Sequence, residues 1–266
     1  MHGVYAWNAG ALSSAVVADL LRWISGGDVA GMSSSCNKPA SSVTGAGAGD
    51  WAVVDSGYGV VRHAGILAGP GVTARLSVSG ALKVQLSVVD GWDSGTHTAT
   101  HATTAADASL ALSSAGSVNL IAGAGYLLVG ASDWSVWSLA CEVKRDGPAM
   151  AGAPTKSGAM TLNYSTSHYM ARCKTPGSAG ETTNATMTVQ SAYGALSAAA
   201  ARDQSERLYL PMAPATASYS SVPVEEISGI KIVGGYALSG DSVVDDLESV
   251  FTVVKAGSIG FAVLRA

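Results

Sequence analysis

The stretch from Val72 to Val88, VTARLSVSGALKVQLSV, constrains the fold more than any other part of the chain. Val72, Ala74, Leu76 and Val78 alternate with Thr73, Arg75 and Ser77, and after a break Leu82, Val84, Leu86 and Val88 alternate with Lys83, Gln85 and Ser87. A period of two is the signature of strands with one buried face. Parity then limits the connection, because a two-residue loop would turn every later partner onto the wrong face. A three-residue loop, Ser79-Gly80-Ala81, pairs Val78 with Leu82 and Leu76 with Val84, and Gly80 is the natural carrier of the positive φ such a loop needs. Leu76 and Leu86 are therefore expected on one buried face.

More β structure is expected around this hairpin. Trp51 to Asp55 and Tyr58 to His63 form a second hairpin across Ser56-Gly57, and Gly69-Pro70-Gly71 turns the chain into Val72. Tyr126 to Val129 and Trp134 to Val143 form another pair about the Gly130 to Asp133 turn. In the second half Met160 to Leu162, Tyr169 to Cys173, Thr186 to Val189, Arg207 to Met212, Ile230 to Val233, Val250 to Val254 and Ile259 to Leu264 are shorter candidates. Two segments read as helical. Val16, Val17, Leu20, Leu21 and Ile24 recur at three and four within Leu12 to Ile24, which Gly26-Gly27 ends, and Tyr193 to Arg202 is Ala-rich. Ser33 to Asp50, and Gly180 to Asn184, read as loops, and Asp90 to Ala108 fits either a polar strand or an exposed loop. The fold class is thus mainly β, β-rich α+β, with antiparallel hairpins in sandwich-like sheets and one N-terminal helix. Lys144-Arg145-Asp146-Gly147-Pro148 suggests a boundary between lobes at 1–147 and 148–266, within what one domain could also hold.

Composition narrows the partners. A net charge of −4 with 13% charged residues argues against a general nucleic-acid-binding surface, which needs clustered Lys and Arg. The 48% apolar fraction, 32 glycines and abundant Ser and Thr imply a small, neutral surface suited to burial against partners. Cys36, Cys141 and Cys173, an odd number widely spaced, indicate neither a disulfide framework nor a zinc ribbon, so buried free thiols are expected. MHGVYAWNAG lacks the pattern of a secretory signal, and Ala15 to Ile24 is too short to span a bilayer. A soluble chain made in a reducing compartment follows.

The search for chemistry returns no convergent set. His97-Thr-Ala-Thr-His101 has an i, i+4 spacing that two metal ligands on a helix would use, but no third ligand accompanies it and its Thr-rich setting favours strand or loop. His63 and His168 read as surface or capping residues without a partner that would suggest a dyad. Gly45 to Gly49 and Gly123-Ala-Gly125 do not sit between a clear strand and a clear helix, as a phosphate loop requires. Glu225-Glu226 and Asp245-Asp246 read as solvated turn residues rather than a facing catalytic pair. No catalytic residue, cofactor or metal is expected. Trp134 and Trp137, three residues apart on a strand, point to opposite faces, so one should meet something other than the main core. With Trp92 they are the candidate interface aromatics.

Several stretches taken together resemble a family of minor structural proteins of tailed bacteriophage virions. These are the N-terminal helix, GYGVVRHAG and VTARLSV, YLLVGASDWSVWSLACEV, LYLPM, VPVEEISGIKIVGGYALSGDSVVD and the terminal GFAVLRA, about half of the chain. Where that family carries a charged turn and a Phe-Tyr pair, this chain has Ser132-Asp133 followed by Trp134 and Trp137. The resemblance implies a structural subunit of the neck, collar or tail, located in the virion after synthesis in the host bacterial cytoplasm, contacting other virion proteins and copies of itself, with no catalytic residues, nucleic acid or membrane. Two other classes compete. A carbohydrate-binding β-module for host-surface recognition would use Trp92, Trp134 and Trp137, and a β-helical or sandwich hydrolase would need paired acids across a cleft.

Overall fold

The computed structural model describes residues 2–27, 29, 31, 51–63, 72–103, 105–143, 158–164, 168–170, 173–174, 181–182, 185–186, 188–191, 201–202, 208–209, 212–219, 222–233, 240, 242–244, 248–256 and 259–265. The chain begins with β1 (His2–Trp7) and α1 (Ser13–Ile24), followed by β2 (Trp51–Asp55), β3 (Val60–His63), β4 (Val72–Val78), β5 (Lys83–Asp93), β6 (Thr98–Ala102) and β7 (Ala106–Ala111). Next come β8 (Gly116–Gly123), β9 (Tyr126–Ala131), β10 (Trp137–Val143) and β11 (Gly158–Asn163). Short strands β12 to β18 follow (His168–Met170, Cys173–Lys174, Glu181–Thr182, Ala185–Thr186, Thr188–Ser191, Ala201–Arg202 and Leu208–Tyr209). The C-terminal strands are β19 (Met212–Tyr219), β20 (Val222–Val233), β21 (Ser242–Val244), β22 (Val250–Ala256) and β23 (Ile259–Leu264). The protein is mainly β, as its alternation requires. No helix among the described residues is long and apolar enough to cross a membrane.

Two sheets carry the framework. One has six strands, ordered β2-β3-β4-β5-β6 with β7 added on β5, and the other has fifteen, with β1-β8-β9-β10-β20-β23-β22-β21-β18-β17 as its main path. The larger sheet crosses the anticipated 147/148 boundary, because β10 pairs with both β11 and β20.

The strands β8, β9 and β10 form a wall buried on both sides, and their alternation is split between two cores. Val118, Leu120, Ala122, Leu127, Val129 and Ala140 face α1 and the six-stranded sheet. Ile121, Tyr126, Leu128, Trp137, Leu139 and Cys141 face β11 and the C-terminal strands. This is why SVNLIAG and YLLVGA read as nearly continuous apolar runs rather than as alternating ones. Burial also pushes the Cys141 thiol well above its ordinary pKa. The buried polar ends are satisfied across the layers: Trp51 Nε1 donates to the Gly123 carbonyl at 3.0 Å, and Tyr126 Oη donates to that of Leu264 at 2.9 Å.

The helix forms where the three-and-four spacing places it, burying Val16, Leu20, Leu21, Trp23 and Ile24. Its Asp19 accepts a hydrogen bond from Tyr5 Oη at 2.6 Å, which ties it to β1. That strand escaped the sequence reading although Gly3, Tyr5 and Trp7 alternate inward. Other expectations are corrected. Asp90 to Ala108 is neither one strand nor a loop but the end of β5, β6 and the start of β7. Ala201–Arg202 is a strand, while the remainder of the Ala-rich segment, like Ser33 to Asp50, lies outside the described residues. Glu181–Thr182 is a strand rather than loop.

The organising hairpin forms with its parity kept and its loop displaced by one residue. Val78 pairs with Val84, Leu76 with Leu86 and Ala74 with Val88. Ser79 N donates to Lys83 O at 2.9 Å and Leu82 N to Ser79 O at 2.8 Å, so the three-residue loop is Gly80-Ala81-Leu82. Moving the loop by one moves the register by two, which leaves the buried face unchanged and sends Leu82 to solvent at 48% exposure. The positive φ falls on Leu82, at 56°, not on Gly80. A left-handed conformation costs a residue with a Cβ roughly 1 kcal/mol. Leu82→Gly is therefore expected to raise stability by about 0.5–1 kcal/mol, read as a higher urea midpoint at unchanged slope. A lower midpoint would mean that the loop has another geometry.

Candidate functional site

The turn joining β2 to β3 and the turn joining β5 to β6 lie side by side, and their side chains make the one aromatic and ionic cluster that stands outside the three hydrophobic cores among the described residues. Asp55 closes β2, and its Oδ1 accepts from the Tyr58 amide at 3.2 Å, which shapes the first turn. In the second turn Asp93 Oδ1 accepts from the amides of Gly95 at 2.8 Å and Thr96 at 3.3 Å. Such Asx turns explain why DSGY and DSGT reverse the chain at these two places.

The turns are then locked together. His97 Nδ1 lies 2.7 Å from Asp55 Oδ2, and the imidazole stacks on the Tyr58 ring at 4.1 Å with 11° between the planes. Trp92 lies 6.2 Å from the Tyr58 ring, and the Arg75 guanidinium sits 5.8 Å from the Trp92 centroid while Arg75 Nε donates to the Tyr58 carbonyl at 3.2 Å. The His97 hydrogen bond, helped by the Tyr58 amide and opposed by desolvation, holds the Asp55 carboxyl below the usual carboxylate range. Asp93 is held low as well, first by the Gly95 amide and then by the side chain and amide of Thr96. His97 takes a φ of 55° to reach Asp55, a strained backbone for a residue with a Cβ.

No family model, curated protein or solved structure matches this chain. His97 and His101 do not converge: His97 engages Asp55, and His101 Nδ1 lies 3.5 Å from Asp90, its cross-strand partner. Among the described residues no group of three or more His, Cys, Asp or Glu is placed to hold a metal ion.

The three tryptophans singled out in the sequence separate. Trp92 joins the surface cluster, but Trp134 and Trp137 do not stand outside the core. Trp137 is fully buried and Trp134 nearly so, both in the core between the β8-β9-β10 wall and the C-terminal strands. The opposite-face argument assumed that only one face of β10 is covered, whereas both are. Trp134 belongs to the turn rather than the strand and folds inward at a φ of 58°. His63 is corrected too, being fully buried beside Trp51 at 5.3 Å between ring centroids. Gly123-Ala124-Gly125 belongs to the tight β8–β9 connection, with Gly123 paired to Tyr126. Among the acids, Glu142 is buried in the wall, where desolvation raises its pKa.

Sequence reasoning missed Asp55, Tyr58 and Arg75. Asp55 and His97 are 42 residues apart, and no local spacing joins them. The available signal was the pair of Asp-Ser-Gly turn motifs, the first followed by Tyr58 and the second preceded by Trp92.

Proposed function

We propose that this chain is a structural subunit of a tailed-phage virion, placed at the neck, collar or tail and held by neighbouring virion proteins and further copies of itself, and that it performs no chemistry. The observation that supports this most is the edge strand of the six-stranded sheet. Among the described residues β2 pairs with β3 alone, and its sequence WAVVD leaves Val53 and Val54 exposed at 39% and 36%. Edge strands of free monomers are blunted by Lys, Pro or bulges that deter pairing. Here a register irregularity falls at Val54, between Val53 and Asp55, but Trp51 to Val54 carry neither charge nor proline. An edge of this kind suits a protein whose edge is covered in its assembly, and the scarcity of charge points the same way.

The test has two parts. Mass spectrometry of purified particles should find the chain at fixed stoichiometry, and light scattering of the isolated protein should show association. Val53→Lys is expected to weaken that association at least tenfold while changing stability by no more than about 0.5 kcal/mol, the usual range for a surface site. A stable monomer absent from particles, or one that turns over a substrate, would sink this reading.

A further inference from the structure

We propose that the end of the β5–β6 hairpin is a pH-sensitive strap, laid on the outer face of the six-stranded sheet and fastened at its tip by protonated His97 against Asp55. Only the first part of β5 belongs to the body of the sheet. Its pairing with β4 ends at Ala74 and Val88, and among the described residues β6 pairs with β5 alone. The base of the hairpin is clamped where Thr103 N donates to the Val88 carbonyl and Val88 N to Thr103 Oγ1. Gly91 then takes a φ of 61°, outside the strand range, so β5 changes direction there. Beyond it Trp92 meets the Arg75 guanidinium, and His97 reaches Asp55 and Tyr58. Arg75 is paired with Val60, on the face opposite to that of Val61 and Ala74, which belong to the core. Val60 and Val89 are buried yet lie in none of the three cores, as a hairpin folded back over that face requires.

Two opposed terms make the strap responsive. His97 holds a left-handed backbone at a φ of 55°, and that strain is released when the tip lifts. Against it stand the stack on Tyr58 and the 2.7 Å contact with Asp55, whose carboxylate can only accept, so Nδ1 carries the proton. An imidazolium makes this contact an ion pair, whereas a neutral ring leaves a hydrogen bond alone. Histidine is the side chain whose charge ordinarily changes between about pH 5 and pH 8. The other charged groups around the ring are Asp55 at the end of β2, Asp93 from β5 and Arg75 from β4, the last engaged with the Tyr58 carbonyl and the Trp92 face. The second pair, His101 with Asp90 at 3.5 Å, lies within the hairpin and moves with it. Both Asp55, first through His97, and Asp93, first through the Gly95 amide, are held below the usual carboxylate range. Their contribution is therefore present above the ordinary carboxylate pKa and lost only in stronger acid, so the change across the histidine range is loss of the imidazolium. The strap is held most firmly below about pH 6 and loosens as pH rises. Lifting the tip uncovers Val60 and the rings beside the end of β2, so pH governs what this face presents. The inference rests on the hairpin itself and does not depend on the chain's place in a particle.

Amide hydrogen exchange of the full chain, followed by NMR and expressed as protection factors, tests it. Protection of the β6 amides is expected to fall about twofold or more from about pH 5.5 to about pH 8, the scale of a partly exposed ion pair, while that of Val84 to Val88 stays unchanged. Asp55→Asn keeps an acceptor for the Tyr58 amide but removes the charge, and should leave β6 in mild acid as open as the parent is in mild alkali. His97→Asn tolerates the positive φ and does not titrate, so it should also remove the pH dependence. His101→Gln should keep it. The first two variants act on opposite partners, so either one decides the matter if the other fails to fold. The proposal is overturned if the parent's β6 protection does not fall as pH rises, if Asp55→Asn or His97→Asn retains the parent's pH dependence, or if His101→Gln abolishes it.

Discussion

Gly59→Ala is expected to destabilise the chain by about 3 kcal/mol or more, among the largest effects a single methyl group can have here. Gly59 follows Tyr58 in the first turn, with a φ of 76°. Its carbonyl accepts a hydrogen bond from Leu76 N at 2.8 Å, which brings the turn down onto β4. A Cβ at this position would collide with the carbonyl oxygen of Leu76 and would stand 3.2 Å from Val17 Cγ1 of the helix. Backbone cannot swing aside as a side chain does, so the left-handed penalty of roughly 1 kcal/mol adds to displacement of a core strand. Gly80→Ala is the control: that glycine has open space around its missing Cβ and no positive φ, and substitution there should be neutral or stabilising by up to about 1 kcal/mol. Urea unfolding of the two variants separates them. A loss below about 1 kcal/mol at Gly59 would mean that the turn does not approach β4 this closely.

The contrast between Gly59 and Gly80 shows what could be read from the sequence. Period two in VTARLSV and KVQLSV established the strands, their buried face and the odd loop length, because parity is a property of the residues themselves. It could not distinguish Leu82 as a strand residue from Leu82 as the left-handed loop residue, since both satisfy parity and only the hydrogen bond from Ser79 to Lys83 decides. The helix was legible for the same reason, its stripe being local. The site was not, because its hydrogen bond joins turns from two different hairpins, and His97 was weighed beside His101, as a metal pair that was set aside, rather than beside its actual neighbours Asp55 and Tyr58. The wall β8-β9-β10 lay between these cases. Its apolar runs announced burial but could not say that the second face meets a second core, and the misplacement of Trp134 and Trp137 followed from that.

The fate of Trp137 gives the second large effect. Trp137→Ala is expected to cost about 3–5 kcal/mol in the isolated chain, the range for removing a fully buried large aromatic side chain. The ring packs edge-on against Phe261 at 6.0 Å and 71°, and its Nε1 donates to the carbonyl of Lys255 at 3.0 Å. Truncation therefore opens a cavity between the wall and β22–β23 and removes a donor from a carbonyl at its margin. Trp137→Phe should recover most of the packing while still losing that hydrogen bond, leaving a residual cost on the order of 1 kcal/mol. Trp92→Ala should cost clearly less than Trp137→Ala, because Trp92 lies among turn side chains at the surface rather than in a core. An anchor at a contact between subunits would behave in the opposite way, leaving the isolated chain nearly unchanged and weakening only association. Thermal and urea unfolding of the isolated protein, set beside its light scattering, distinguishes the two roles. A Trp137→Ala chain as stable as the parent but unable to associate would return this residue to the interface and would place the second core elsewhere.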